Sequence, residues 1–228
     1  MRSIDDNLQA VRQRITRAAA AAGRDPDSVM LLAVSKTHSA SLVEQARAAG
    51  QRAFGENYVQ EAVEKMDLLA GKGIEWHLVG PLQSNKTRMV AERFDWVHSV
   101  ESEKIARRLS EQRPVGLAPL SVLIQVNVSG EASKSGVAPG QVFALAGAIS
   151  ALPRLRLRGL MAVPEPGADV ARYRELKRLY EKLKVEFRCD ALSVGMSEDL
   201  EVAIAEGATL VRIGTAIFGA RQKIRPAA

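Results

Sequence analysis

The chain has 228 residues, 46% of them apolar, which is enough for one sizeable core and too few for two full domains, so residues 1–228 are expected to form a single domain. No window approaches the roughly eighteen consecutive apolar residues of a membrane span, the first residues lack the apolar run of a signal peptide, and a lone Cys189 can make neither an internal disulfide nor a cysteine zinc site. The net charge of +6 admits an anionic ligand, but the densest basic stretch, 172–188, interleaves Glu175, Glu181 and Glu186 as on a solvated helix face, and no nucleic-acid motif accompanies it.

A cytoplasmic protein without nucleic-acid or membrane partners is therefore expected, with Cys189 as a packing residue. Along the chain, residues 4–22 are rich in Ala and Arg, and Ile4, Leu8, Val11 and Ile15 recur every three or four positions. That spacing predicts an amphipathic N-terminal helix. Beyond Gly23 and Pro26, short apolar runs at 30–35, 52–55, 76–80, 95–98, 121–126, 157–162, 191–194 and 209–213 read as eight strands. Helical patterns start between them near Ser39, Asn57, Gln83, Ser102, Pro139, Asp169 and Ser197, each long enough for the crossover that parallel strands require. Eight such units predict a closed (β/α)8 barrel of the TIM type with an extra N-terminal helix; a doubly wound open sheet is the alternative. In a barrel the chemistry gathers where strands end, and phosphate is often held after strands seven and eight.

The first strand ends on Ser35, Lys36 and Thr37, which puts an amine at the rim after a buried run. Such a lysine is either a snorkelling side chain or a group for Schiff-base chemistry with a carbonyl ligand. The second strand runs into Glu56 and Asn57, and Asn57 can cap its helix or donate to a ligand oxygen. His77 in the third strand reads as a satisfied histidine inside the barrel rather than an acid or base. The polar stretch 127–136 is too long for a plain turn and suits a lid or ligand wall. In the last strand, alternation puts Leu210, Arg212 and Gly214 on one face, so a guanidinium points into or across the mouth, either toward a ligand or into a salt bridge with an acid such as Glu56. Gly195, Met196 and Ser197 after strand seven, and Gly214 and Thr215 after strand eight, are small-residue turns whose backbone N–H groups suit a phosphate. Ser197 is equally placed as an ordinary N-cap ahead of Asp199 and Glu201.

The segments AVSKT at 33–37, FGENY at 54–58, WHLVGPLQSNK at 76–86, SKSG at 133–136, RGLM at 158–161, GMS at 195–197 and VRIGT at 211–215 together resemble the pyridoxal phosphate homeostasis protein family over nearly the whole chain. The resemblance implies a barrel similar to the N-terminal part of alanine racemase without its C-terminal β domain. It implies a cytoplasmic, monomeric binder of pyridoxal 5′-phosphate with a role in vitamin B6 balance. By position, Lys36 would form an imine with the cofactor, Ser197, Gly214 and Thr215 would hold its phosphate, Arg212 would face the pyridine nitrogen, and Asn57 and Met196 would complete the site. The one local departure is His38 and Ser39 after Lys36 and Thr37, where the family more often has a proline nearby.

Arginine at the ring nitrogen disfavours carbanion chemistry, because a group of such high pKa does not protonate the ring. The expected function is storage, buffering or delivery of the cofactor, with apo-enzymes and amino acids as possible partners. A weak pyridoxal phosphate-dependent amino-acid racemase is the second reading, with His77, Tyr58 or Ser129 as the opposing acid or base. A lysine-imine aldolase acting on a phosphorylated sugar is the third.

Overall fold

A computed structural model describes residues 3–130 and 135–220. The N-terminal helix α1 spans Ile4–Ala21 and is opened by a capping box between Ser3 and Asp6; Leu8, Val11, Ile15, Ala18 and Ala19 form its buried stripe. Eight strands and their helices follow in strict alternation: β1 Met30–Val34, α2 Ala40–Ala48, β2 Ala53–Glu56, α3 Val59–Leu68, β3 Glu75–Leu78, α4 Thr87–Arg93, β4 Trp96–Val100, α5 Glu103–Gln112, β5 Leu120–Gln125, α6 Val142–Ser150, β6 Leu155–Met161, α7 Val170–Phe187, β7 Ala191–Ser193, α8 Leu200–Ala205, β8 Leu210–Ile213 and α9 Thr215–Phe218. The strands form a closed parallel barrel in sequence order, sealed where β1 pairs with β8. Register places Leu32 beside Arg212 and Ala33 beside Ile213 across that closure.

The period of two along each strand divides the core. Leu32, Ala53 and Leu210 cluster inside the barrel, as do Trp96, Leu123, Met161 and Ala191. The alternate residues, such as Ala33, Phe54, Leu78, Val97 and Val211, pack outward against the helices in the main core. The basic stretch of α7 behaves as an ordinary solvated helix: Tyr173, Leu176, Tyr180 and Leu183 are buried, while Arg172 pairs with Glu175 and Arg174 with Glu206. Cys189 is buried, and burial pushes its thiol up to about 12, which suits packing rather than reactivity.

Several helices start later than their sequence patterns suggest. Short 3-10 turns at Ser84–Lys86 and Pro139–Gln141 precede α4 and α6, and α8 begins at Leu200 rather than near Ser197. Ser197 is thus not the helix cap; that position belongs to Asp199. Likewise α3 begins at Val59 after Tyr58, so Asn57 does not cap it. No described helix is long and apolar enough to cross a membrane, and no group of three or more metal-binding side chains occurs among the described residues.

Candidate functional site

At the C-terminal mouth of the barrel lies a cavity of about 370 Å³. Lys36, Asn57, Met196, Ser197, Arg212, Gly214 and Thr215, all seven of the candidate site residues, line it. Val34, His38, Val79, Val163 and Glu198 complete its wall. Val163 follows β6 at the same rim, and its signal in the sequence was only its place after a strand end. Glu198 adjoins Ser197 and is exposed, so solvent screens its charge from the cavity.

Lys36 leaves β1 into a turn in which Thr37 has φ +64°, a left-handed conformation uncommon for a residue with a side chain. A buried polar cluster holds that turn. Glu61 Oε1 accepts the Thr37 backbone N–H at 2.6 Å and the Lys65 ammonium at 2.6 Å. Lys65 spends its other two donors on Glu56 Oε1 and the Ser35 carbonyl, both at 2.7 Å, and the Ser35 hydroxyl donates to Glu56 at 2.6 Å. Burial pushes the Glu56 carboxyl up while Lys65 draws it back down. The cluster spans β1, β2 and α3, so the segment that presents Lys36 is fixed from behind by three elements. Glu61 and Lys65 stand four apart on α3, a spacing that in sequence equally fits a solvated surface pair, so it gives no signal of their inward position.

The two small-residue turns face Lys36. Gly195 has φ +102°, and a Cβ there would meet the Ala203 Cβ at 2.6 Å, so the turn after β7 requires glycine. Asp199 bends back under this turn: its carboxylate accepts the Met196 N–H at 2.6 Å and the Tyr173 hydroxyl at 2.6 Å. Arg14 of α1 donates to the Ser197 carbonyl at 3.1 Å and pairs with Glu201, tying the turn to the N-terminal helix. After β8, a Cβ on Gly214 would lie 3.1 Å from the Val34 carbonyl oxygen, so any larger residue would crowd the β1 exit there. Asn7 holds the far end of α9 through the Ile217 carbonyl at 2.9 Å. Among the described hydrogen bonds, none uses the backbone N–H of Ser197, Glu198, Thr215 or Ala216. Backbone donors of this kind can take an anion.

Arg212 does not pair with Glu56, which is engaged by Lys65 instead. The reason is strand parity: Glu56 shares the helix-facing side of β2 with Phe54, whereas Arg212 points inward. Its Nη1 donates to the Ser193 carbonyl at 2.7 Å and hydroxyl at 2.8 Å, and its Nη2 to the Ala162 carbonyl at 2.9 Å. Of the five guanidinium N–H groups this leaves Nε–H and one on Nη2 for the cavity. Burial pushes Arg212 down to about 10, with Asp199 opposing the shift, so the group is still cationic at neutral pH.

The three side chains considered as an acid or base opposite Lys36 do not line this cavity. Tyr58 is 57% exposed. His77 is fully buried with both ring nitrogens engaged, by His98 and Glu75. Ser129 donates to Glu165 at 2.8 Å. His38 does reach the cavity, but from the same strand exit as Lys36, and it stacks on Phe218 at 5.2 Å. Residues 131–134 of the polar loop, including Ser133 and Lys134, lie outside the described residues.

Residues 7–222 match the family model described as alanine racemase, N-terminal domain. A protein of Pseudomonas aeruginosa named pyridoxal phosphate homeostasis protein is 60% identical, with all of both chains covered. Among solved structures, PipY of Synechococcus elongatus with pyridoxal phosphate bound superposes with a TM-score of 0.82 at 36% identity, covering 95% of this chain and all of that one. Alanine racemase from Corynebacterium glutamicum shares the fold at 17% identity and a TM-score of 0.69, with 95% of this chain matched to 62% of that enzyme.

Proposed function

Because the chain belongs to the pyridoxal phosphate homeostasis protein family, we propose that it binds pyridoxal 5′-phosphate in the cavity at the barrel mouth, holds it as an imine on Lys36, and stores, buffers or delivers it inside the cell. The observation that carries this reading is convergence: one cavity combines the Lys36 amine, a cationic arginine with N–H groups to spare, and two turns with unused backbone donors. The cofactor asks for an amine for its aldehyde, an anion site for its phosphate and a partner for its ring nitrogen. A volume of about 370 Å³ lies within the usual range for small-molecule sites. In this reading Lys36 would hold the cofactor's aldehyde, and Ser197, Gly214 and Thr215 would hold its phosphate. Met196 and Asn57 would complete the site, and Arg212 would donate to the pyridine nitrogen.

When bound, the cofactor supplies an electrophilic imine and an electron sink. Arg212 limits the sink, because a donor with a pKa near 10 leaves the ring nitrogen without a proton. Exchange of the lysine for an amino acid, or release of the cofactor, needs no such sink. Storage or delivery fits this chemistry better than turnover. Transfer from the loaded protein to an apo-enzyme, with free cofactor trapped, is the direct test of delivery.

Ser197→Ala should weaken cofactor retention by about 1.5 to 3 kcal/mol while leaving the visible imine band intact, since one hydrogen bond to a charged group is lost. Pyridoxal, which lacks the phosphate, should bind far more weakly than pyridoxal phosphate in an equilibrium titration; equal affinities would reduce both turns to ordinary helix starts. The racemase reading meets its own test in deuterated water. Loaded protein incubated with L-alanine should show α-proton exchange far below the roughly 10 per second typical of enzymes, and exchange at that rate would replace the carrier reading with catalysis.

A further inference from the structure

Arg212 is 6% exposed, and no carboxylate among the described residues lies within ion-pair distance of it. A buried guanidinium without a nearby counter-charge carries a heavy desolvation penalty. The nearest acid acting on it through space is Asp199, under the β7 turn. A second acid reaches it through the core. The Ser193 hydroxyl, which accepts from Arg212 at 2.8 Å, lies 3.1 Å from His98 Nδ1; His98 Nε2 lies 2.9 Å from His77 Nδ1; and His77 Nε2 lies 2.7 Å from Glu75 Oε1. Ser193, His98 and His77 are fully buried, whereas the Glu75 side chain, at the first position of β3, is 43% exposed at the opposite end of the barrel. The chain of contacts therefore crosses the interior from β8 through β7, β4 and β3.

Its two ends fix its polarity. Arginine can only donate and an ionised carboxylate can only accept. With both imidazoles neutral, one arrangement satisfies every contact: Arg212 donates to Ser193, Ser193 to His98 Nδ1, His98 Nε2–H to His77 Nδ1, and His77 Nε2–H to Glu75. Neutral rings agree with their surroundings. Burial lowers the pKa of both histidines, and His98 also faces Arg212 and His77. His77 faces Glu75, Asp95 and Arg158, and stacks on Trp96 with ring centroids 5.2 Å apart. Glu75 is held below the ordinary carboxylate range, chiefly by its bond to His77. Bonds aligned head to tail polarise one another, so each strengthens the next along the chain.

We propose that Ser193, His98, His77 and Glu75 are positioning residues for Arg212: a one-way relay through the barrel makes Glu75 the counter-charge of the guanidinium and keeps its remaining N–H groups aimed into the cavity. The proposal deepens the cofactor-binding reading and rests on it for the ligand. Glu75→Gln tests it with little risk to folding, because the side chain is at the surface and the amide oxygen can still accept from His77 while the charge is gone. Release of pyridoxal phosphate from the loaded full chain, followed by decay of the visible band with free cofactor trapped, should become about threefold faster, a charge-assisted bond's advantage attenuated along the relay. In an Arg212→Gln background the same substitution should change the rate by less than about twofold, because its effect passes through Arg212. An equal acceleration in both backgrounds would overturn the relay and leave Glu75 a purely structural residue. Nitrogen-15 NMR of the imidazoles supplies a readout independent of cofactor: His77 and His98 should both be neutral and protonated on Nε2, and an Nδ1–H form of either ring would refute the arrangement. Wild-type protein that forms no visible band with pyridoxal phosphate would refute the binding reading alone, with the NMR result still deciding the relay.

Discussion

Lys36→Ala should abolish the visible absorption of the loaded protein while leaving the barrel folded. The amine stands at a strand exit on the cavity wall, so its removal opens no void in the core. What disappears is the covalent link, and the effect on the band is all or none. Reduction of the wild-type protein with borohydride followed by peptide mapping should place the label on Lys36. A label on Lys86, in the short turn before α4, or on Lys134 would reassign the site. The melting temperature of the variant should match that of cofactor-free wild type, because the stabilisation lost is that of the bound ligand. A variant that melts well below cofactor-free protein would show that Lys36 is chiefly a structural residue.

The second large effect expected is acid destabilisation. His77 and His98 are fully buried, and burial depresses the pKa of each, His98 strongly. In the unfolded chain a histidine takes up its proton near pH 6.5. Below that pH the unfolded state therefore binds protons that the folded state does not, and stability falls as pH falls. The contribution is fully present above about pH 6.5 and is lost progressively toward the depressed folded-state values. Two such groups give a slope approaching about 2.7 kcal/mol per pH unit. Glu56 acts in the opposite sense, since its raised pKa lets the folded state hold a proton that an exposed carboxylate has already released. One group can cancel no more than one proton of the two, so the net loss of stability emerges and steepens below about pH 6.5, as both unfolded-state rings become protonated. Urea unfolding of cofactor-free protein at half-unit intervals from pH 7 to 5.5 measures this slope directly. A flat profile would mean that the rings are charged or hydrated in the folded protein.

The strand count and the closed barrel were legible in the sequence because each depends on local pattern, which also put Lys36 and the two small-residue turns at the rim, whereas the choice of Asn57 and Met196 came from the family resemblance. Apolar runs with longer helical segments between them identify the units, and position just after a run identifies the rim. Partners across elements were not legible. Alternation correctly aimed Arg212 inward, but the alternative of a salt bridge to an acid such as Glu56 overlooked the parity of β2, on which Glu56 faces α3. Glu61 and Lys65 look like any solvated helix pair until α3 docks on β1 and β2. Ser193 and His98 lie 95 positions apart, and only the curvature of the closed sheet brings them together. The start of α8 was misread because Ser197 has the chemistry of a cap, whereas Asp199, two residues on, is the one turned back to the Met196 N–H.

The joint that seals the barrel also divides the cavity. Lys36 follows β1, while Arg212, Gly214 and Thr215 belong to β8 and its exit, and those two strands meet only at closure. The N-terminal helix braces the exit of β8 through Asn7, bonded to a residue 210 positions away, and the turn after β7 through Arg14. Contacts of such long sequence separation form late in folding, so an unsealed barrel leaves Lys36 and the two turns with nothing to align them. In the proposed reading, a cofactor held by Lys36 on one side and by the turns on the other would act as a clasp across the seam.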